Sequence, residues 1–231
     1  MERDRADGVK PDRRSARVAP ERSEQLIHLY PLVNSMKESF VFLADGFEDV
    51  EAITVIDILR RAGMPVKTVS ITPSLQVRSA HGVTMTADVM FDNTIFASAA
   101  WLILPGGMPG ATNLYEFAPL QGLLARQAKS SDGRIAAICA SPAVVLGQLG
   151  LLEGHEATCY PGFEQLLKGA KHIDEPVVVS GKFVTASGPA LAMKWALRIV
   201  KEALGSSKSE EVANGLLYFP RATDDIDYAF G

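Results

Sequence analysis

Residues 134–152 read RIAAICASPAVVLGQLGLL. The run 135–138 is apolar at every position, as suits a strand buried on both faces within a parallel sheet. Cys139 comes directly after it, and Ala140, Ser141 and Pro142 then open a helical pattern. Serine is a favoured N-cap and proline a favoured first helical residue, so a helix is predicted to begin at Ser141 or Pro142. The thiol then lies in a tight strand-to-helix turn under the positive end of a helix. That position favours thiolate and leaves backbone N–H groups unpaired beside the sulfur. Strand, sharp turn with a nucleophile, and helix together make a nucleophile elbow, here with sulfur in place of a serine oxygen. The plain alternative is a small apolar side chain filling a gap in the core, the usual role of a free cysteine.

Outward from the elbow, strands and helices alternate. Upstream, residues 39–44 (SFVFLA) read as a short buried strand, followed by the loop Asp45-Gly46-Phe47-Glu48-Asp49. Residues 50–62 place Val50, Ile53, Val55, Ile56 and Leu59 at helical spacing, and Gly63 and Pro65 end the helix. A strand over 66–71 follows, then an alternating stretch at 75–85 around Ala80-His81-Gly82 that predicts a hairpin. Residues 101–104 form another buried strand, closed by Pro105-Gly106-Gly107, and a helix over 120–129 leads into the elbow strand. Downstream, strands are predicted at 157–160, 176–180 and 183–187, with a helix over 189–204. Short connections and alternating elements predict an α/β fold, a doubly wound, mostly parallel sheet with helices on both faces. Working groups in such sheets gather at the carboxyl ends of the strands. Three loops lie at such ends: 45–51, 105–107 and 139–141.

The chain has 231 residues, 47% hydrophobic and 22% charged, with net charge −4. That length holds one domain with an ample core, and the slightly acidic balance gives no reason to expect nucleic acid or an anionic membrane as partner. No apolar run reaches membrane-span length. Two cysteines are no disulfide framework, which points to a reducing, cytoplasmic setting. His28, His81, His155 and His172 are scattered singly, so no metal site is expected. Neither a GxGxxG after the first strand nor a phosphate-binding loop is present, and no cofactor is expected. Residues 1–24 carry seven basic and six acidic side chains and little that could be buried. Residues 1–35 therefore read as a disordered extension, or as the product of an upstream start with Met36 opening the domain; 36–219 read as the domain and 220–231 as a tail.

The three loops can be given roles. Cys139 is the candidate nucleophile. Gly106 and Gly107 lack a Cβ, so their backbone can approach a ligand and, with the Ala140 amide, form an oxyanion hole. By itself a Gly-Gly pair is simply a tight turn. Glu51 falls in the first turn of the first helix, where an acid complements the helix dipole; Glu48 and Asp49 are expected to be solvated there. No histidine adjoins Cys139 in sequence, so only His81 or His155 could reach it through space.

The set FLADGFEDVEAITVIDILRRAG, LPGG, AAICASP and TASGPALAMKWAL, in that order, resembles the ThiJ/PfpI superfamily, and within it the branch of the Parkinson-disease protein deglycase. The resemblance covers about residues 36–217. It implies a flavodoxin-like sandwich, a homodimer, and a site where an oxidation-prone cysteine meets a protonated glutamate. By motif these are Cys139 and Glu51, with Gly106, Gly107 and Ala140 as backbone donors. Three departures stand out: Tyr160 precedes the proline where the branch often has a histidine, His81 replaces an arginine that in some members reaches across the dimer, and Ala140 follows the cysteine where the protease branch has histidine. Tyr160 and His81 thus become auxiliary candidates. The expected function is a stress protein acting on reactive dicarbonyls or glycated proteins. A redox sensor or chaperone that oxidises Cys139 to sulfinate is the alternative, and a cysteine hydrolase on small amides a further one.

Overall fold

Strand β1 (Ser39–Leu43) is buried along its whole length, and its side chains alternate between two cores. Val41 and Leu43 point to one face of the sheet, Phe40 and Phe42 to the other, the period-two pattern of a strand covered on both sides. The computed structural model describes residues 36–218. The extension expected at 1–35 and the tail at 220–231 lie outside the described residues.

The chain continues through α1 (Asp49–Arg61), β2 (Val66–Ser70), β3 (Gln76–Arg78), β4 (Thr84–Thr86), β5 (Val89–Met90) and β6 (Trp101–Leu104). Helices α2 (Gly110–Glu116) and α3 (Ala118–Lys129) lead to β7 (Arg134–Ile138) and the elbow helix, Pro142–Gly147, wound as a π-helix. Then come β8 (Glu156–Ala157), β9 (Lys171–His172), β10 (Val177–Ser180), β11 (Phe183–Ala186), α4 (Ala192–Leu204) and α5 (Ser206–Gly215). Seven strands form the main sheet in the order β10-β11-β7-β6-β1-β2-β5, parallel except for β10. β3 and β4 make the expected hairpin as a separate antiparallel pair. Apolar faces of α1 and α4, with Val212 of α5, cover one side of the sheet, and those of α2, α3 and the elbow helix cover most of the other. The doubly wound arrangement is as expected.

Several boundaries differ from expectation. The strand expected at 157–160 stops at Ala157, because the next amides bond elsewhere: Thr158 N–H to Thr185 Oγ1 (3.1 Å) and Tyr160 N–H to the Cys139 carbonyl (2.8 Å). Helix α4 starts at Ala192, after a separate turn at Pro189–Leu191. Helices α2 and α5 and strands β5 and β9 were not expected. Only Val212 of α5 is buried, so no apolar stripe announces it.

β7, β6 and β1 are neighbours in the sheet and run parallel. Their carboxyl ends therefore bring loops 139–141, 105–107 and 45–51 side by side, within about 10 Å, two strand spacings. Cys139 belongs to the same core face as α1, the helix that carries Glu51.

Candidate functional site

Cys139 has a left-handed backbone with φ 64°, rare for a residue with a side chain. Two hydrogen bonds hold it there: its N–H donates to Ala186 O of β11 (2.9 Å), and its own carbonyl accepts from Tyr160 N–H (2.8 Å). The turn is the elbow that the sequence predicts. Ser141 begins the helix but does not cap it; its buried hydroxyl donates instead to the Pro105 carbonyl (2.6 Å), tying the elbow to the 105–107 loop.

Glu51 is wholly buried. Its Oε2 accepts the Gly106 N–H at 2.7 Å, and no N–H or O–H reaches Oε1. The carboxyl also meets the Cys139 thiol, side chain to side chain. Gly106 lies between them: a Cβ there would stand 2.6 Å from Cys139 Cβ and 2.8 Å from Glu51 Oε2. Its amide was expected to serve the sulfur, but Glu51 takes it. The sulfur's backbone donors are Gly107 and Ala140. Gly107, at φ +90°, has its carbonyl bonded by Ala111 N–H (2.9 Å), while its own N–H faces the sulfur.

The electrostatics correct one expectation. The helix start and the backbone donors beside the sulfur were expected to hold Cys139 largely as thiolate near neutral pH. Burial instead pushes its pKa up to about 12, with the negative charge of Glu51 adding to the rise and the Gly107 and Ala140 amides opposing it. Burial likewise pushes Glu51 up to about 7, against the Gly106 amide and the thiol. Two anions at this distance in a dry site exclude each other. The pair therefore titrates as a unit: it gives up one proton near pH 7 and shares the other between carboxyl and sulfur over a wide range above that.

The auxiliary candidates do not join the pair. His81 is exposed on the hairpin turn, its Nδ1 3.0 Å from Asp49 Oδ2 and 3.5 Å from Glu48 Oε2. Glu48 and Asp49 are accordingly not free in solvent: Glu48 caps α1, and Asp49 accepts the Ser79 hydroxyl (2.5 Å). His155 bonds Ser180 Oγ (3.2 Å) and meets Phe183 edge-on. Phe183 pairs with Ile135 at the amino end of β7, the far end from Cys139. Tyr160 stays near the elbow through its backbone, while its half-exposed ring packs against Phe163. Ser141 as a tie to Pro105 is the contribution that sequence missed; its place two residues after the elbow cysteine is the only signal.

Residues 37–202 match the DJ-1/PfpI family. The chain belongs to that family. Protein DJ-1 homolog B of Arabidopsis thaliana is 37% identical over 83% of this chain, and the match covers 44% of that protein. The chain thus spans about half the length of the Arabidopsis relatives it matches. The glutathione-independent glyoxalase DJR-1.2 of Caenorhabditis elegans is 32% identical over 79% of the chain and 97% of its own length. Among solved structures, oxidized DJ-1 of Toxoplasma gondii superposes with a TM-score of 0.75 at 36% identity, covering 79% of this chain and 98% of that one. The fold is therefore the DJ-1 fold. Among the described residues no helix is long and apolar enough to cross a membrane. Glu48, Asp49 and His81 are the only described donors close enough together to suit a cation, and each already has a partner within the protein.

Proposed function

We propose that this protein is a cofactor-independent glyoxalase or deglycase in which Cys139 is the nucleophile and Glu51 its proton acceptor. The observation that carries this is the buried pair itself: a carboxyl poised near pH 7 against a thiol that cannot ionise alone. As the sulfur attacks the aldehyde carbon of an α-oxoaldehyde, its proton passes to Glu51, and an S–C bond forms as the C=O π pair moves to oxygen. The Gly107 and Ala140 amides stabilise that oxyanion, which takes the proton back as hemithioacetal. Glu51 then removes the proton from the former aldehyde carbon as the neighbouring ketone oxygen takes a proton, giving an enediol. Glu51 returns its proton to the neighbouring carbon as the first carbon's hydroxyl gives up its own, which leaves a thioester. Water hydrolyses the thioester to a 2-hydroxy acid and frees the thiol. One carbon is oxidised and its neighbour reduced, so the reaction needs no external oxidant or reductant. A glycated amine holds the same carbon as a hemiaminal. The sulfur would take that carbon as the C–N bond breaks, with the thiol proton leaving on the amine by way of Glu51, and the hemithioacetal would then follow the same course. The C. elegans relative named as a glyoxalase supports this reading. We further propose a cytoplasmic homodimer, with the exposed Val50 and Ile53 on α1 as part of the contact.

A second reading, a redox sensor with Cys139 oxidised to sulfinate, draws support from the relative whose structure is of the oxidized protein. Methylglyoxal consumption separates the two. The purified protein is expected to convert it to lactate, Cys139→Ala to lose that activity and Cys159→Ala to keep it. A wild-type protein without turnover overturns the enzyme reading.

A further inference from the structure

The turn of the β3–β4 hairpin is fastened to the start of α1 by several bonds. Ala80 N–H donates to Phe47 O (2.8 Å), Gly46 N–H to Arg78 O (2.7 Å), and Ser79 Oγ to Asp49 Oδ1 (2.5 Å). His81 sits on this turn with Nδ1 shared between Asp49 and Glu48. Glu48 in turn is bound to the candidate site, its N–H donating to the carbonyl of Gly106 (3.0 Å), the same residue whose amide holds Glu51. Glu48 thus has its carboxylate beside the exposed imidazole and its backbone on the loop that holds the buried carboxyl.

We propose that His81 is a positioning residue that acts through Glu48 on Glu51, setting the pH at which the Glu51–Cys139 pair gives up its first proton. This rests on Glu51 as the acid partner of Cys139. The groups facing His81 are Glu48 and Asp49 at the start of α1 and the Arg78 guanidinium on its own hairpin, whose Nη2 lies 3.6 Å from where a Gly82 Cβ would be. The two carboxylates dominate: Asp49's hydrogen bond, then Glu48's charge, hold the imidazole above its ordinary pKa. Asp49 remains ionised, since its hydrogen bonds from Ser79 and His81 more than offset the burial that works against its charge. Glu48's charge raises the pKa of Glu51. An imidazolium beside Glu48 cancels part of that charge, so it lowers Glu51. As the pH rises and His81 loses its proton, Glu48 is unmasked and Glu51 holds its own proton longer. The two titrations oppose each other, and the Glu51 curve is broadened across neutrality.

The test follows Glu51 directly by carbon-13 NMR of labelled glutamate carboxyls, with its resonance assigned by loss in Glu51→Gln. In wild type the titration is expected to be broad. His81→Gln removes the cation and is expected to raise the inflection by about half a pH unit and steepen the curve; His81→Lys keeps a permanent cation and is expected to lower and steepen it. In a Glu48→Gln background, which keeps a capping oxygen, the His81→Gln shift should shrink. Superimposed curves for the three residues at 81 overturn the inference, as does a shift that persists unchanged without the Glu48 charge. Thermal melts check that the variants are folded. The readout is a carboxyl titration, so failure here is distinct from failure of the glyoxalase reading, which is judged on turnover.

Discussion

Cys139 and Cys159 share more than their sequence suggests. Both are buried, and burial pushes each thiol up to about 12. They lie in different core clusters, Cys139 on the face covered by α1 and α4 and Cys159 on the face covered by α3. For Cys139 the neighbouring charge is Glu51, which is itself buried, close and poised to take a proton. For Cys159 it is Glu164, whose exposed carboxylate is held below its usual range by the Gly162 amide. Such a group repels a thiolate and accepts no proton from it near neutrality. A helix start or a low thiol pKa therefore does not separate the proposed nucleophile from the second cysteine here. The separating feature is a neighbour whose proton affinity matches the task.

The largest expected effect tests that match. Glu51→Gln keeps the shape and removes the proton acceptor, and turnover of methylglyoxal is expected to fall by about 10²–10⁴-fold, whereas Cys159→Ala leaves it nearly unchanged. Alkylation of Cys139 gives the finer view: in wild type its rate should climb with pH and level off above about 7, where the pair has lost its first proton. In Glu51→Gln it should go on climbing, since the thiol then titrates alone. Matching profiles would erase the distinction between the cysteines.

Next in size is a pH effect on stability confined to the Cys139 side. The folded state raises Glu51 from 4.5 to about 7. Between those values the native protein holds a proton that the unfolded chain releases, so stability falls as pH rises. The contribution is complete below 4.5 and lost through about 7. Denaturant melts should show wild type losing ~3 kcal/mol relative to Glu51→Gln across that window. A difference independent of pH would mean that the carboxyl is not buried as described.

The smallest effect is kinetic. Under graded peroxide, peptide mass spectrometry is expected to show two added oxygens on Cys139 before any on Cys159, with initial rates differing on the order of tenfold. The Gly107 and Ala140 amides and a protonated Glu51 would pair with the sulfinate oxygens. A Cys139–Cys159 disulfide as main product, or equal labelling, would collapse the comparison.

The elbow, its strand and the first helix were legible because their signals are local: an apolar run, a proline at the helix start, a glycine after the helix end. The roles of Gly106 and Ser141 were not. Both depend on which neighbour stands across a loop, Glu51 in one case and Pro105 in the other, and no periodicity carries that information. Glu51 could be placed in a helical turn, but its burial beneath Gly106 depends on β6 lying between β1 and β7. The low thiol pKa expected for Cys139 failed for the same reason: a helix terminus can be read from a sequence, while desolvation by a folded core cannot.

The three loops are also sewn to one another by two main-chain bonds and one side-chain bond. Glu48 N–H donates to Gly106 O, Gly110 N–H to Gly46 O (3.1 Å), and the Ser141 hydroxyl to Pro105 O. For anyone grafting this chemistry onto another scaffold, the transferable unit is therefore neither the cysteine with its helix nor a cysteine–glutamate pair set at the right spacing. It is all three strand ends together, in their native order, because an inserted residue in any one of them would shift the seams of the other two.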